Sequence, residues 1–356
     1  MLDRWVTPVA AALVASALVA CGGGSDPAPP VVATCPTTAL PSGPTETAFT
    51  LAAWPDRGYH LVLPASHECG KPMAVAIVLH GGGGNKENMR TLTCPGGDLA
   101  SAGCLHRQLL AAGFAVVLPN GSNSPGGKLV DPNGLRTWNA GGGHGGYICV
   151  SGYGCQQAID DVAYVRALLA DVGTRIAVDA KRVFATGFSN GAAMSQRLGC
   201  EAADVFAAIA PASGENQFAL AGCAPAQPVA VLDIHGTLDK CWPYGGGNGG
   251  CIESGLYVSV ASTLAGWAAR NGCNPMPTLT TLAPLSGVND GTSVVRHDYA
   301  GCVAGGALTH LEVVGNGHYW PRGSDYASGA VLGGLMSRQL DAGQAVTDFF
   351  VAHGRR

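Results

Sequence analysis

The sequence predicts an α/β protein with a mostly parallel central sheet and helices on both faces. Short apolar runs of strand length alternate along the chain with segments of helical period, the pattern of parallel strands joined by crossover helices. Residues 74–79, Ala-Val-Ala-Ile-Val-Leu, are apolar at every position, as a strand buried on both faces must be. The pentapeptide Gly187-Phe188-Ser189-Asn190-Gly191 stands between a strand-like stretch, residues 182–186, and good helix material, residues 192–198.

The 356 residues suffice for one large domain with a substantial core. Only 12% are charged while 53 are glycine, a balance that suits a loop-rich secreted protein more than a cytosolic one. A net charge of −4 gives no reason to expect nucleic acid or an anionic membrane surface as partner. At the amino terminus, residues 9–20 are apolar but too few to span a bilayer comfortably, and Arg4 supplies a weak positive region offset by Asp3. Leu18-Val19-Ala20-Cys21 resembles a bacterial lipobox, in which the cysteine is lipidated and becomes the new amino terminus; the alternative is an ordinary signal peptide cleaved nearby. Gly22 after the cysteine favours, by the same resemblance, delivery to an outer membrane. Residues 1–21 are therefore read as a lipoprotein-type signal, 22–44 as a flexible linker, and 45–356 as a single domain, secreted or anchored only through Cys21.

Of 13 cysteines, twelve remain once Cys21 is set aside, an even count behind a signal segment that argues for disulfides in an oxidising compartment. Short loops favour the local pairs Cys94–Cys104, Cys149–Cys155 and Cys241–Cys251. No C-x2-C pair or clustered Cys/His spacing supports zinc, so no metal is expected.

Taken in order, residues 47–51 and 59–63 read as short antiparallel strands, followed by the strand at 74–79, a helix at 99–112 and a strand at 114–118. A glycine-rich excursion spans 120–155; loops of that length inside a compact domain are usually functional. Residues 156–172 carry Ile159, Val162, Val165, Leu168 and Leu169 near helical period. The strand before Ser189 and the helix after it come next, then strands at 207–212 and 229–234, a helix at 256–271, strands at 294–299 and 311–314, and a closing helix at 341–352.

G-x-S-x-G between a strand and a helix marks a sharp turn that lifts the Ser189 hydroxyl above the sheet edge. A serine hydroxyl is a poor nucleophile without a base, and the base, usually histidine, needs a carboxylate to orient it. In this setting the chain order is serine, acid, histidine. His318 lies in Gly315-Asn316-Gly317-His318, a loop leaving the carboxyl end of a late strand, where active sites of open parallel sheets collect. His297 and His310 sit at or inside strands, His353 is nearly terminal, and His235 at a strand end reads as structural. Asp239 follows the strand at 229–234 through His235-Gly236-Thr237-Leu238 and is the candidate acid; Asp233 is inside the strand and Asp290 in a remote turn.

An oxyanion needs preorganised N–H donors. The expected pair is the backbone of Asn190, next after the serine, and Gly82 in His80-Gly81-Gly82-Gly83-Gly84, with Gly81 the alternative. A phosphate-binding loop is excluded there, since no G-K-[ST] follows. Trp138 and Trp320, in loops near these segments, are candidates either to clamp an apolar acyl group or to anchor packing; Trp242 reads as packing. Asp160 and Asp161 open a helix and read as capping residues.

Together, LHGGGGN at 79–85, RTWNAG at 136–141, DDVAYVRALL at 160–169, RVFATGFSNGAAMS at 182–195 and IHGTLDKCWPY at 234–244 resemble the polyhydroxybutyrate depolymerase-like esterases, which overlap with the feruloyl and acetylxylan esterases of carbohydrate esterase family one. The likeness spans about residues 74–320; the glycine run at 141–146 and Lys240-Cys241-Trp242 depart from the family's usual look. It implies an α/β-hydrolase fold without a large separate lid, triad roles for Ser189, Asp239 and His318, and no cofactor. The expected activity is serine ester hydrolysis through an acyl-enzyme, on polyester or oligoester substrates. The alternative is a feruloyl or acetylxylan esterase, and the non-enzyme alternative a catalytically silent polymer-binding lipoprotein.

Overall fold

The computed structural model describes residues 39–123, 136–150, 152–218, 222–251, 254–327 and 329–355. The stretch read as a signal, Cys21, most of the stretch read as a linker, and Cys35 lie outside the described residues. Two antiparallel strands open the domain, β1 (Thr45–Leu51) and β2 (Trp54–Leu63), and β3 (Met73–Leu79) follows. Helices α1 (Lys86–Leu92) and α2 (Leu105–Ala111) lead to β4 (Ala115–Pro119) and the short pair β5 (Ser122–Asn123) and β6 (Arg136–Thr137). Next come α3 (Tyr153–Gln156), α4 (Asp161–Gly173), β7 (Val178–Phe188), α5 (Asn190–Glu201), β8 (Ala208–Ala212) and β9 (Ala230–Gly236). The hairpin β10 (Gly247–Gly249) and β11 (Gly255–Tyr257) precedes α6 (Val260–Arg270). The chain ends through β12 (Thr278–Thr281), β13 (Ser293–Tyr299), β14 (Ala307–Val314), α7 (Gly329–Leu332) and α8 (Ala342–Ala352).

Ten strands form one sheet in the order β1-β2-β4-β3-β7-β8-β9-β14-β13-β12. From β4 to β14 every neighbouring pair is parallel, and the margins on both sides are antiparallel. The period-2 alternation of side chains divides β3 between two cores: Val75, Ile77 and Leu79 pack with α4, α5 and α6, while Ala74, Ala76 and Val78 pack with α1, α2 and α8. This is the α/β-hydrolase arrangement the sequence implies. Among the described residues no helix is long and apolar enough to cross a membrane.

Several boundaries differ from the sequence reading, each for a local reason. The helix expected at 99–112 begins only at Leu105, after the segment closed by the Cys94–Cys104 disulfide. The helix expected at 156–172 is broken before Asp160, whose side chain accepts from Ala163 N–H and starts α4 afresh. Residues 255–257 pair in a hairpin, so α6 waits for its Ser259 cap. Cys94–Cys104, Cys149–Cys155 and Cys241–Cys251 pair as their spacing suggested; Cys200–Cys223 and Cys273–Cys302 join segments too far apart in sequence to pair by inspection. Five such bonds between described residues fit a chain matured in an oxidising compartment.

Asp161 does more than open a helix. It is fully buried and paired at 2.6 Å with Arg57 Nη2, while its second oxygen accepts from Asn139 N–H at 2.6 Å. The guanidinium lies 3.6 Å above the centre of the Tyr164 ring and donates through Nε to Asn120 O. Burial pushes the Asp161 carboxyl upward, and the Arg57 charge opposes that. Arg57→Met should therefore destabilise the fold by about 3–5 kcal/mol, because a carboxylate is left buried without its cation. Urea unfolding checks this, and the double variant Arg57→Met/Asp161→Asn should recover part of the loss.

Candidate active site

Loops that leave the carboxyl ends of four parallel strands come together at one edge of the sheet: that after β3, the turn after β7, and the loops after β9 and β14. Ser189 follows β7, Asp239 follows β9 and His318 follows β14, while residues 81–84 follow β3, the strand that pairs with β7.

At the turn Ser189 has φ 56° and ψ −122°, a left-handed conformation costly for a residue with a side chain. Its neighbours show why the chain accepts that cost. A Cβ on Gly187 would sit 2.5 Å from Gly191 O, and one on Gly191 would sit 2.4 Å from both Leu79 O and His80 O. Glycine at those two positions lets β3, β7 and α5 meet in backbone contact. Ser189 N–H donates to Ala212 O of β8 at 3.0 Å, which pins the turn to the neighbouring strand. Asn190 locks it from the other side: its Oδ1 accepts from Trp138 N–H at 2.7 Å and its Nδ2 donates to Trp138 O and Val150 O.

His318 and Asp239, 79 residues apart in sequence, come together with His318 Nδ1 2.7 Å from Asp239 Oδ2. Both are buried. The other carboxylate oxygen, Oδ1, accepts from the N–H groups of Cys241 and Trp242, each at 2.8 Å, so the carboxylate is held in one orientation. Phe188 packs against the imidazole with ring centres 4.7 Å apart, and Tyr326 donates its hydroxyl to His318 O at 2.6 Å.

The glycine loop after β3 is set by a residue the sequence reading passed over. His80 is wholly buried; its Nε2 accepts from Gly121 N–H at 2.9 Å, so its proton is on Nδ1, which donates to Gly81 O at 2.7 Å. Burial drives its pKa down to about 3, so it stays neutral. With Gly81 O turned to His80 and to Gly84 N–H, the trans peptide aims the Gly82 N–H the opposite way. The amides of Gly82 and Asn190 have no acceptor among the described residues.

Ser189, His318 and Gly81–Gly84 line one cavity of about 660 Å³. Its walls include Met89, Leu92, Phe188, Trp242, Tyr257 and Tyr326. The tryptophan expectations need correcting here. Trp138 is fully buried, donating its indole N–H to His80 O and packing beside Tyr164; Trp320 is buried in the core with α1, α2 and α8. Neither lines the cavity, because both rings fill the interior beneath the loops. Trp242, for which the sequence favours packing, is buried in the core and also lines the cavity, edge-on to Tyr257 at 5.2 Å.

Two groups of potential metal-ligating atoms cluster among the described residues, Cys94/Cys104/His106 and Asp239/Cys241/His318. Every cysteine in them is disulfide-bonded, so neither offers a thiolate. The strand-end His235, structural by sequence, is buried between two carboxylates: its Nδ1 is 2.7 Å from Glu215 Oε1, and its Nε2 is 2.8 Å from Trp242 O and 3.4 Å from Asp239 Oδ2. Burial alone would lower its pKa, but the Glu215 hydrogen bond and the charges of Glu215, Asp239 and Asp233 outweigh burial and raise it to about 9. Glu215 carries no sequence signal of its own; only the fold brings it to His235.

No family model matches the chain. Feruloyl esterase C of Emericella nidulans is 30% identical over 247 residues, covering 69% of this chain and 71% of that protein. The putative esterase NocK of Nocardia uniformis subsp. tsuyamanensis is 28% identical over 290 residues, covering 79% of this chain and 74% of that protein. Feruloyl esterase B of Piromyces equi is 33% identical over 132 residues, and the match spans only 25% of that longer protein. Among solved structures, an acetyl xylan esterase from Aspergillus awamori aligns over 74% of this chain and 89% of that chain at 15% identity, with a TM-score of 0.44. With feruloyl esterase C matched across more than two thirds of both chains, the protein belongs to the feruloyl esterase family.

Proposed function

We propose that the protein is a serine carboxylic-ester hydrolase that works through an acyl-enzyme. One observation carries the reading: the 2.7 Å hydrogen bond between His318 Nδ1 and Asp239 Oδ2, made on the wall of the cavity onto which the strained Ser189 also opens. In the reaction, Ser189 Oγ attacks the ester carbonyl while His318 Nε2 takes its proton and then passes it to the leaving alcohol. Asp239 fixes the imidazole tautomer and stabilises the imidazolium. The N–H groups of Asn190 and Gly82 receive the oxyanion, at the amino end of α5 where the helix dipole favours negative charge. Water activated by the same histidine then cleaves the acyl-enzyme. No step requires a cofactor.

The substrate is an ester with an apolar or aromatic acyl part. Supporting this are the aromatic walls of the cavity, with Trp242, Tyr257 and Phe188 around it, and relatives named as feruloyl esterases. Feruloyl esters are therefore the favoured class. Hydroxybutyrate oligomers, the first reading of the sequence, share the chemistry and form the second arm of the test. Export of the chain, with lipidation at Cys21 as its anchor, is part of the same proposal.

Ser189→Ala should lower kcat on p-nitrophenyl butyrate by about a millionfold and abolish fluorophosphonate labelling; labelling that persists at another residue overturns the triad, and a wild-type chain that never labels favours the silent binding protein. Trp242→Ala should raise KM for methyl ferulate about tenfold more than for p-nitrophenyl acetate, since an aromatic acyl group loses a packing face the acetyl group never uses. A panel of methyl ferulate, acetylated xylan and hydroxybutyrate oligomers, read as kcat/KM, should rank the ferulate first.

A further inference from the structure

The reaction described above makes no use of His235, a buried titratable group beside the acid. Every atom its ring nitrogens face is an oxygen acceptor: Glu215 Oε1 on one side, Trp242 O and Asp239 Oδ2 on the other. A neutral imidazole has one N–H and satisfies one side alone; an imidazolium satisfies both. Burial pushes the Glu215 and Asp233 carboxyls upward, and a charged His235 opposes that at both. Glu215 comes from the segment after β8, Asp239 from the acid loop, and Asp233 from the same strand two residues earlier. The Tyr244 ring stands edge-on at 5.8 Å. Behind them His310 of β14, driven to about 3 by burial, stays neutral, with Nδ1 at 2.7 Å from Asp233 and Nε2 at 2.9 Å from the Tyr244 hydroxyl. His297 of β13 stands beside His310 with ring centres 5.1 Å apart, its Nε2 2.9 Å from Glu312 Oε2.

We propose that His235 is a positioning residue for the ester-hydrolysing site: Glu215 holds it as a buried imidazolium, and its Nε2–H ties down the Trp242 carbonyl while facing the Asp239 oxygen that accepts from His318. This rests on the triad reading. Its first effect is mechanical. The amides of Cys241 and Trp242 grip Asp239 Oδ1 from one side of the loop, and His235 fastens the Trp242 peptide from the other. Trp242 is also a wall of the cavity, so one contact sets both the acid and part of the acyl pocket. The second effect is electrostatic. A positive charge 3.4 Å from Asp239 Oδ2 competes with the His318 N–H for that carboxylate oxygen. The sign follows: removing the charge lets His318 bind its proton more tightly, so the acidic limb of the pH–rate profile moves to higher pH.

The test compares His235→Gln and Glu215→Gln with wild type in the full chain, using p-nitrophenyl butyrate from pH 5 to 10 and Asp239→Asn as the control for the triad. In both variants kcat on p-nitrophenyl butyrate should fall about 10–100-fold, and KM should change by less than kcat. The acidic limb should rise by about half a unit or more. In Glu215→Gln the alkaline limb should also descend from about 9, because His235 loses its counter-charge and gives up its proton earlier. A role confined to stability would lower Tm and leave both limbs in place; that result, with near-UV dichroism native, overturns the inference while inactivity of Asp239→Asn leaves the triad standing. If Asp239→Asn keeps wild-type kcat, the triad fails and the inference with it. Should neither Gln variant fold, nitrogen-15 resonances of the wild-type His235 ring decide: both nitrogens protonated at pH 7 supports the proposal, and a neutral ring overturns it.

Discussion

Three backbones meet at the Ser189 turn with no room for a side chain at either flanking glycine. That close approach of β3, β7 and α5 is the constraint from which the candidate site follows. It forces Ser189 into positive φ, points its hydroxyl off the sheet edge, and brings the glycine loop after β3 beside it. The strain is local and small against the apolar burial of the two cores beneath, so the sheet can hold it. Asn190 and Ser189 N–H, bonded to Trp138, Val150 and Ala212, over-determine the turn from three directions.

Around that turn the polar groups form buried chains rather than isolated pairs. Asp239 receives two backbone amides on one oxygen and His318 on the other, and behind it stand His235 and Glu215. On the far side of the serine, His80 fixes Gly81 and Arg57–Asp161 fixes the backbone at Asn139. Each is costly to desolvate, and the hydrogen bonds it makes offset that cost only in one arrangement, which is why such groups hold loops in place. The Cys241–Cys251 disulfide lines the same cavity, a covalent restraint in its wall.

The site was legible in sequence where it rests on local geometry. G-x-S-x-G between a strand and a helix announces a tight turn, and Asp239 and His318 follow strands at the distance a loop needs to return to the sheet edge. It was illegible where a side chain's role depends on what lies across the sheet. Trp138 and Trp242 look alike in sequence; one is sealed beneath His80 and the other lines the cavity. Helix starts at 105, 161 and 260 were obscured because a disulfide, an Asp cap and a hairpin interrupt runs whose composition is helical.

The sequence by itself determined the parallel α/β architecture, the position of the serine turn, and an oxidised set of cysteines. Alternation of apolar runs, glycine spacing and cysteine parity are properties of neighbouring residues, and they survive without knowing the fold. Only the tertiary structure decided that Glu215 meets His235, that Arg57 meets Asp161 across 104 residues, and which aromatic rings face the cavity. Those contacts depend on strand order and on the side of the sheet each loop crosses, and a linear pattern carries neither.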